Sequence, residues 1–374
     1  RSQIRPKRCE ASQIGFPVCS ILLRFGIDAS IRRDVNCIAP SLGLQRYPKH
    51  GLLCHSKLGE IIIWRQHEFH AWWQIFEALM QHPLSRTLVN AVVDSLEIIQ
   101  YLPTNRGIFW KKKFNSALHH LSSQLGWGSI EMNNQRVVRS AHPLLSVAVG
   151  QYAFERYHHS RFKVRWIEPR SQIVQLEFEP TSDLAAPQSH NPFPWSFDAR
   201  SQESGIPIDL VQSHNGNELQ MEGERVLLIP TLTLERFLSA SVPYAPETEE
   251  GWFHHTIDSF ASFENLLKIT IKTTAAMFLQ SEQPVYIIDR TSWDSYVEHY
   301  LVEVGWGHVT IVDYNASSLA LHCTVNRGSN VPFTIGMICG LWERAHGRSY
   351  KINIQENSDM FSIEIESLLE YQKQ

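Results

Sequence analysis

Residues 114–128 read FNSALHHLSSQLGWG, and residues 293–307 read WDSYVEHYLVEVGWG. Both end on Gly-Trp-Gly, at an offset of 179. The apolar positions before the motif agree: Phe114, Leu118, Leu121 and Leu125 match Trp293, Val297, Tyr300 and Val304. Spacings of four, three and four put each set on one face of a helix. Glycine directly after such a helix stops it, and the tryptophan that follows anchors the cap in the core. His120 falls opposite His299, and Ser116 opposite Ser295.

Downstream the offset becomes 188, so the second copy holds nine more residues between landmarks. Glu155-Arg156-Tyr157-His158 matches Glu343-Arg344-Ala345-His346, and residues 162–166 match residues 350–354. Val174, Leu176 and Phe178 then match Phe361, Ile363 and Ile365 after a one-residue slip. Polar residues alternate with them in both copies, which predicts half-buried strands with one wet face. Turns are predicted at Glu168-Pro169-Arg170-Ser171 and Glu356-Asn357-Ser358-Asp359, and in the second copy at Tyr314-Asn315. Upstream, Gly59-Glu60-Ile61-Ile62-Ile63 resembles Gly223-Glu224-Arg225-Val226-Leu227, each ahead of a helical pattern.

These matches place one repeat at 43–180 and a second at 205–368, with a Pro-, Ser-, Asn- and Gln-rich linker over 181–204. Each repeat reads as a short strand, two helices, the helix ending at Gly-Trp-Gly, strands, a further helix and a closing hairpin. Helices in runs beside an antiparallel sheet make an α+β domain. The expected fold is therefore two similar α+β domains from an internal duplication. Residues 1–42 show no sustained period and carry three of the four cysteines found in the first 54 residues. They are expected to be a basic extension that contributes little to either core; the first methionine is Met80.

The composition narrows the classes of function. In 374 residues, 43% hydrophobic and 19% charged, there are 11 Trp, 11 Tyr and 18 Phe, enough aromatic bulk for more than one core. Residues 1–60 hold ten Lys/Arg against four Asp/Glu, so the remainder is strongly acidic within a total of -4. Nucleic acid is not the expected partner of such a chain. The six cysteines form no Cys-x-x-Cys pair, so a reducing, cytoplasmic location is expected. No apolar run is long enough for a transmembrane segment.

The order Gly-Trp-Gly, alternating strands, glycine-containing helix and hairpin resembles the 4-vinyl-reductase-type domain. The resemblance is carried best by Gly305 to Ile365, above all Ile335-Gly336-Met337-Ile338-Cys339-Gly340-Leu341-Trp342-Glu343. In the first copy it rests on Gly126-Trp127-Gly128 and on Val149-Gly150 to Glu155. It implies a mixed α+β ligand-binding or assembly module, similar to bacteriochlorophyll-biosynthesis proteins, to sensor domains for aromatic compounds and to vesicle-tethering subunits with an apolar channel. Family members often carry cysteines in the closing hairpin. Here none follows Glu168 or Glu356, so no metal or thiol site is carried over.

Chemistry-bearing motifs are sparse. Gly-x-Gly-x-x-Gly, the phosphate-binding loop, the nucleophile elbow and His-Glu-x-x-His are all missing from the sequence. His67-Glu68-Phe69-His70 has two histidines three apart, and two ligands do not make a metal site. No cofactor and no metal are expected. His120/His299 and His158/His346 recur in both copies, which suits a charge switch near a pocket as well as a helix-end contact. Side chains of the two later helices and the strand at 319–325 are expected to converge. The candidate ligand lining is Tyr300, Cys323, Trp342 and His346 in the second copy, and Tyr152, Phe154 and His158 in the first. The alternative is that these side chains fill the core. The reading is a non-enzymatic protein binding a small apolar or aromatic ligand, or a protein partner, as an intramolecular pseudo-dimer. Two alternatives stand beside it: an enzyme or accessory acting on a tetrapyrrole or aromatic compound, and a purely structural subunit.

Overall fold

Residues 61–64 and 226–229 are unbroken apolar runs, the pattern of strands covered on both faces. In the computed structural model both become central strands of one sheet. The structure describes residues 43–104, 107–182, 187, 191–196, 205–208, 211–212, 218–249, 251–281, 283–328, 330–357 and 359–369. All belong to one compact unit, Cys37–Gln374. The extension expected over residues 1–42 lies outside the described residues.

The first half runs β1 (Leu44–Tyr47), β2 (Leu52–His55), β3 (Gly59–Arg65), α1 (Gln66–Met80), α2 (Ser85–Ile99), α3 (Trp110–Leu125), β4 (Ser129–Glu131), β5 (Arg136–Val138), α4 (Pro143–His158), β6 (Arg161–Arg170) and β7 (Ile173–Thr181). After β8 (Ile206–Pro207) the second half runs β9 (Val211–Gln212), β10 (Leu219–Met221), β11 (Glu224–Pro230), α5 (Thr231–Ser241), β12 (Phe253–His255), α6 (Glu264–Gln280), α7 (Arg290–Val297), β13 (Val309–Asn315), β14 (Ala320–Asn326), α8 (Val331–His346), β15 (Tyr350–Asn357) and β16 (Met360–Ser367). Helices pack on predominantly antiparallel sheets, so the fold class is α+β. Apart from β8 and β12, the halves repeat the same order of elements. No helix among the described residues is long and apolar enough to cross a membrane.

The closing sheets share one strand order, β4-β5-β7-β6 in the first half and β13-β14-β16-β15 in the second, where β12 adds in parallel to β15. The opening strands merge into a single sheet, β8-β1-β2-β3-β11-β10-β9. At its centre Ile62 faces Ile229, Ile63 faces Leu228, Trp64 faces Leu227 and Arg65 faces Val226. The sequence offset here is 164, and exchanging the halves at that offset turns each of these pairs into another of them. The register is two-fold symmetric about the middle of the β3–β11 pair.

Helix packing crosses the same seam in both directions. Helix α1 packs on α6, and α5 packs on α2. The Trp72 indole donates to Thr274 Oγ1 at 3.2 Å across one contact, and Arg236 donates to Asp94 at 2.9 Å across the other. Each half's opening strand and first helix are thus lodged in the other half. An aromatic cluster fills the seam: the Trp64 ring lies 5.1 Å from Phe69, 5.4 Å from Trp72, 4.8 Å from Trp306 and 5.9 Å from Phe333.

The Gly-Trp-Gly segments explain themselves at this seam. Gly126 and Gly305 both have positive φ, 72° and 81°. A Cβ on Gly126 would lie 2.9 Å from the Val226 carbonyl oxygen, and one on Gly305 would lie 2.8 Å from that of Ile61. Each glycine therefore ends its helix against the other half's central strand, where no side chain fits. Trp127 and Trp306 are buried, and their carbonyls accept from Ser146 and Thr334 at the start of the next helix. All eight apolar positions matched between the two helices are buried. In the second half the helix is broken: α7 ends at Val297 and a π-helical turn carries Glu298–Val302.

Several boundaries move relative to the sequence reading. Tyr314 and Asn315 still pair in the sheet, with Leu321 and Ala320, so the turn falls at 316–319, where Asn315 Oδ1 accepts from Ser317 and Ser318 amides. Strand β6 continues through Glu168 and Pro169 to Arg170, and a register shift between Ile167 and Arg170 accommodates the proline, which has no N–H to donate. The additional residues of the second half lengthen the β13–β14 hairpin. Within the stretch read as a linker, Phe193 and Trp195 are buried, stacked 4.5 Å apart and packed on Phe263.

Candidate functional site

Helix α4 separates its three candidate residues. Tyr152 and Phe154 are two positions apart, about 200° around a helix, and so face opposite ways. The Tyr152 hydroxyl accepts from the Leu102 amide at 3.1 Å and borders a 250 Å3 groove with Glu97, Glu155, Arg156 and Arg161. Phe154 turns toward the closing hairpin, stacked on Phe178 at 3.8 Å, with the His158 ring 4.3 Å away. Phe154 and His158 therefore meet each other and not Tyr152.

In the groove, Arg161 bridges Glu97 at 2.7 Å and Glu155 at 3.0 Å. Glu155 also accepts from Gln151 at 3.0 Å and from the Phe162 amide at 3.1 Å. Burial pulls the Arg161 guanidinium down, and the two carboxylates outweigh it and hold it above its ordinary value. The Glu155 carboxylate thus finds its cation on β6.

The four candidates of the second half fall in different places. Trp342 and His346 meet at 4.9 Å, with Trp342 donating to the Leu319 carbonyl at 2.8 Å and the Tyr314 hydroxyl 3.4 Å from His346. Cys323 is sealed in the core, and burial pushes its thiol up to about 12. Tyr300 belongs to the seam: its ring lies 5.2 Å from Phe278 and 5.9 Å from the Arg65 guanidinium. With Ile63, Glu68, Met337 and others it lines an enclosed space of 10 Å3, room for about one water.

Around that space lies a charged network that no sequence motif marks. Arg65 reaches Glu224 at 2.7 Å, Glu222 at 3.1 Å and Glu68 at 3.4 Å. Burial pushes the Glu68 carboxyl up, against the pull of Arg65. His299, singled out by its recurrence, sits between Glu303 at 3.4 Å and Glu222 at 3.8 Å.

A wider groove of 610 Å3 is lined by His67, His70, Glu168, Glu224 and Arg225 among others. His142 is buried nearby, 5.8 Å from His70 and 4.9 Å from Phe69, and burial with the His70 charge pulls it down to about 3. No motif in the sequence marks His142. Among the described residues no group of three or more His, Cys, Asp or Glu is arranged to hold a metal ion. A third groove of 410 Å3 opens beside Glu343, between α1 and α6. Comparison with protein-family models, with curated proteins and with solved structures finds no match to this chain.

Proposed function

We propose that this chain is a non-enzymatic binding protein in which two vinyl-reductase-like repeats, the product of an internal duplication, form a pseudo-dimer within one chain. Its grooves hold a small organic ligand or present a face for assembly. The observation that carries this reading is the symmetric β3–β11 register with the reciprocal exchange of α1 and α5. That is the isologous contact a homodimer makes between two chains, closed here inside one.

The groove chemistry favours binding over catalysis. Arg161 is tied to Glu97 and Glu155, and Arg65 to three glutamates, so their charges are spent on one another. Burial raises the Cys323 and Cys339 thiols, which keeps them protonated and poor nucleophiles. The cytoplasmic location belongs to the same proposal, in keeping with the free thiols of Cys54, Cys323 and Cys339.

Native mass spectrometry of the purified full chain tests this reading. The expected spectrum shows one chain, because the two-fold contact is satisfied internally, with a small organic molecule retained. A ligand-free homodimer would overturn the pseudo-dimer and the ligand together.

A further inference from the structure

The two halves end their last long helix in the same way and then part in chemistry. At offset 188, Gln151, Glu155, Arg161 and Phe162 correspond to Cys339, Glu343, Ser349 and Tyr350. Both helices close on a residue with positive φ, His159 and Gly347, whose amide bonds back to the carbonyl of the matched glutamate. The glutamate backbones are therefore placed alike, and what surrounds the carboxylates can be compared directly.

In the first half the groove is filled by the chain itself. Arg161 supplies the cation, and Gln151 and the Phe162 amide supply further donors to Glu155. In the second half serine replaces the arginine and cysteine replaces the glutamine. The helix that carried Glu97 is replaced by α6, which offers Ala276 and Leu279. The result is a groove of 410 Å3 walled by Ile75, Leu79, Trp252, Leu279 and Tyr350, with Glu343 and the Lys272–Glu249 pair in it. That size suits a small organic molecule.

The one lysine that lines this groove is paired within it, and the nearby arginine is engaged elsewhere. Lys272 lies 4.9 Å from the Trp252 ring and 3.4 Å from Glu249. Arg344 donates to the Leu279 carbonyl. No salt bridge among the described residues reaches Glu343, and burial alone pushes its carboxyl up. A half-buried carboxylate with no cation of its own is costly.

We infer that this groove binds a small organic cation, an amine or amidine on an aromatic body, whose charge takes on Glu343 the place that Arg161 holds on Glu155. The inference rests on the reading of the chain as a ligand-binding protein and names the site and the ligand class. The aromatic body lies against Trp252 and Tyr350, and the cation completes a pair that in the first half is made by Arg161. The selectivity is electrostatic, so it separates molecules of one shape by charge.

Isothermal titration of the full chain with benzamidine, its neutral isostere benzamide and its anionic isostere benzoate tests the inference. Benzamidine is expected to bind at least tenfold more tightly than either isostere. Glu343→Gln, which keeps shape and removes charge, should erase that preference. Ser349→Arg, which supplies an internal cation as Arg161 does in the first half, should weaken benzamidine at least tenfold in a protein whose circular dichroism and melting are unchanged. Equal binding of benzamidine and benzamide, or a preference that survives Glu343→Gln, would overturn the cation site and leave the ligand-binding reading intact. No heat with any of the three, together with a native mass spectrum free of bound molecules, would overturn both.

Discussion

Trp64→Ala is expected to destabilise the protein by about 3–5 kcal/mol and to loosen both halves together. Trp64 is fully buried on β3 and packs on Phe69 and Trp72 from its own half and on Trp306 and Phe333 from the other. Truncation leaves a cavity at the point where the two halves interlock, and neighbours anchored in two directions cannot collapse into it. The denaturation midpoint should fall while the slope of stability with urea stays the same. Hydrogen exchange locates the effect: protection should drop in both closing hairpins, β6–β7 and β15–β16. Loss confined to the first half's hairpin would mean that the seam does not couple the halves.

The local elements were legible because their patterns are local. Leu118 and Leu121, or Val174 and Leu176, show helix or strand by spacing alone, and burial follows the spacing. The matching order of elements in the two halves was legible for the same reason, since the same spacings occur in both. The pairing of β3 with β11 was not legible. Their apolar runs announce strands covered on both faces, but partner choice depends on chain segments 164 residues apart. Nor does any period foretell β12, a three-residue strand that enters between α5 and α6 and brings Trp252 to the wall of the second half's groove.

The candidate site was the least legible part. Tyr152 reached a groove and Tyr300 reached the seam, while Phe154, Trp342 and His346 entered aromatic clusters. Side chains two or four apart on a helix are easily assigned to a face, but whether a face meets space or another side chain depends on packing. The one contrast that bears on ligand chemistry, Arg161 against Ser349, was present in the aligned copies. It acquires meaning once the structure shows which carboxylate Arg161 serves.

Acidification is expected to destabilise the fold through two buried histidines before the carboxylates titrate. His55 Nδ1 accepts from the Lys57 and Leu58 amides at 3.1 and 3.0 Å, so its proton must sit on Nε2, and protonating Nδ1 breaks both bonds. Burial, with the Lys57 charge, pulls His55 down to about 4; burial, with His70, pulls His142 down to about 3. In the unfolded chain both titrate near 6.5. Above that pH neither state binds the protons, and stability is complete. Below it the unfolded chain binds them and the native chain does not, so stability falls as pH falls, until about 4 for His55 and 3 for His142. Between pH 6.5 and 5 the loss is about 2 kcal/mol for each histidine. His308 and His346, lowered in the same direction by burial, add to the slope. Urea melts at pH 7, 6 and 5 measure it. His142→Phe, which keeps an aromatic ring beside Phe69 and Trp73, should make the slope about 2 kcal/mol shallower over that window. An unchanged slope in His142→Phe would show that His142 is not held neutral in the native core.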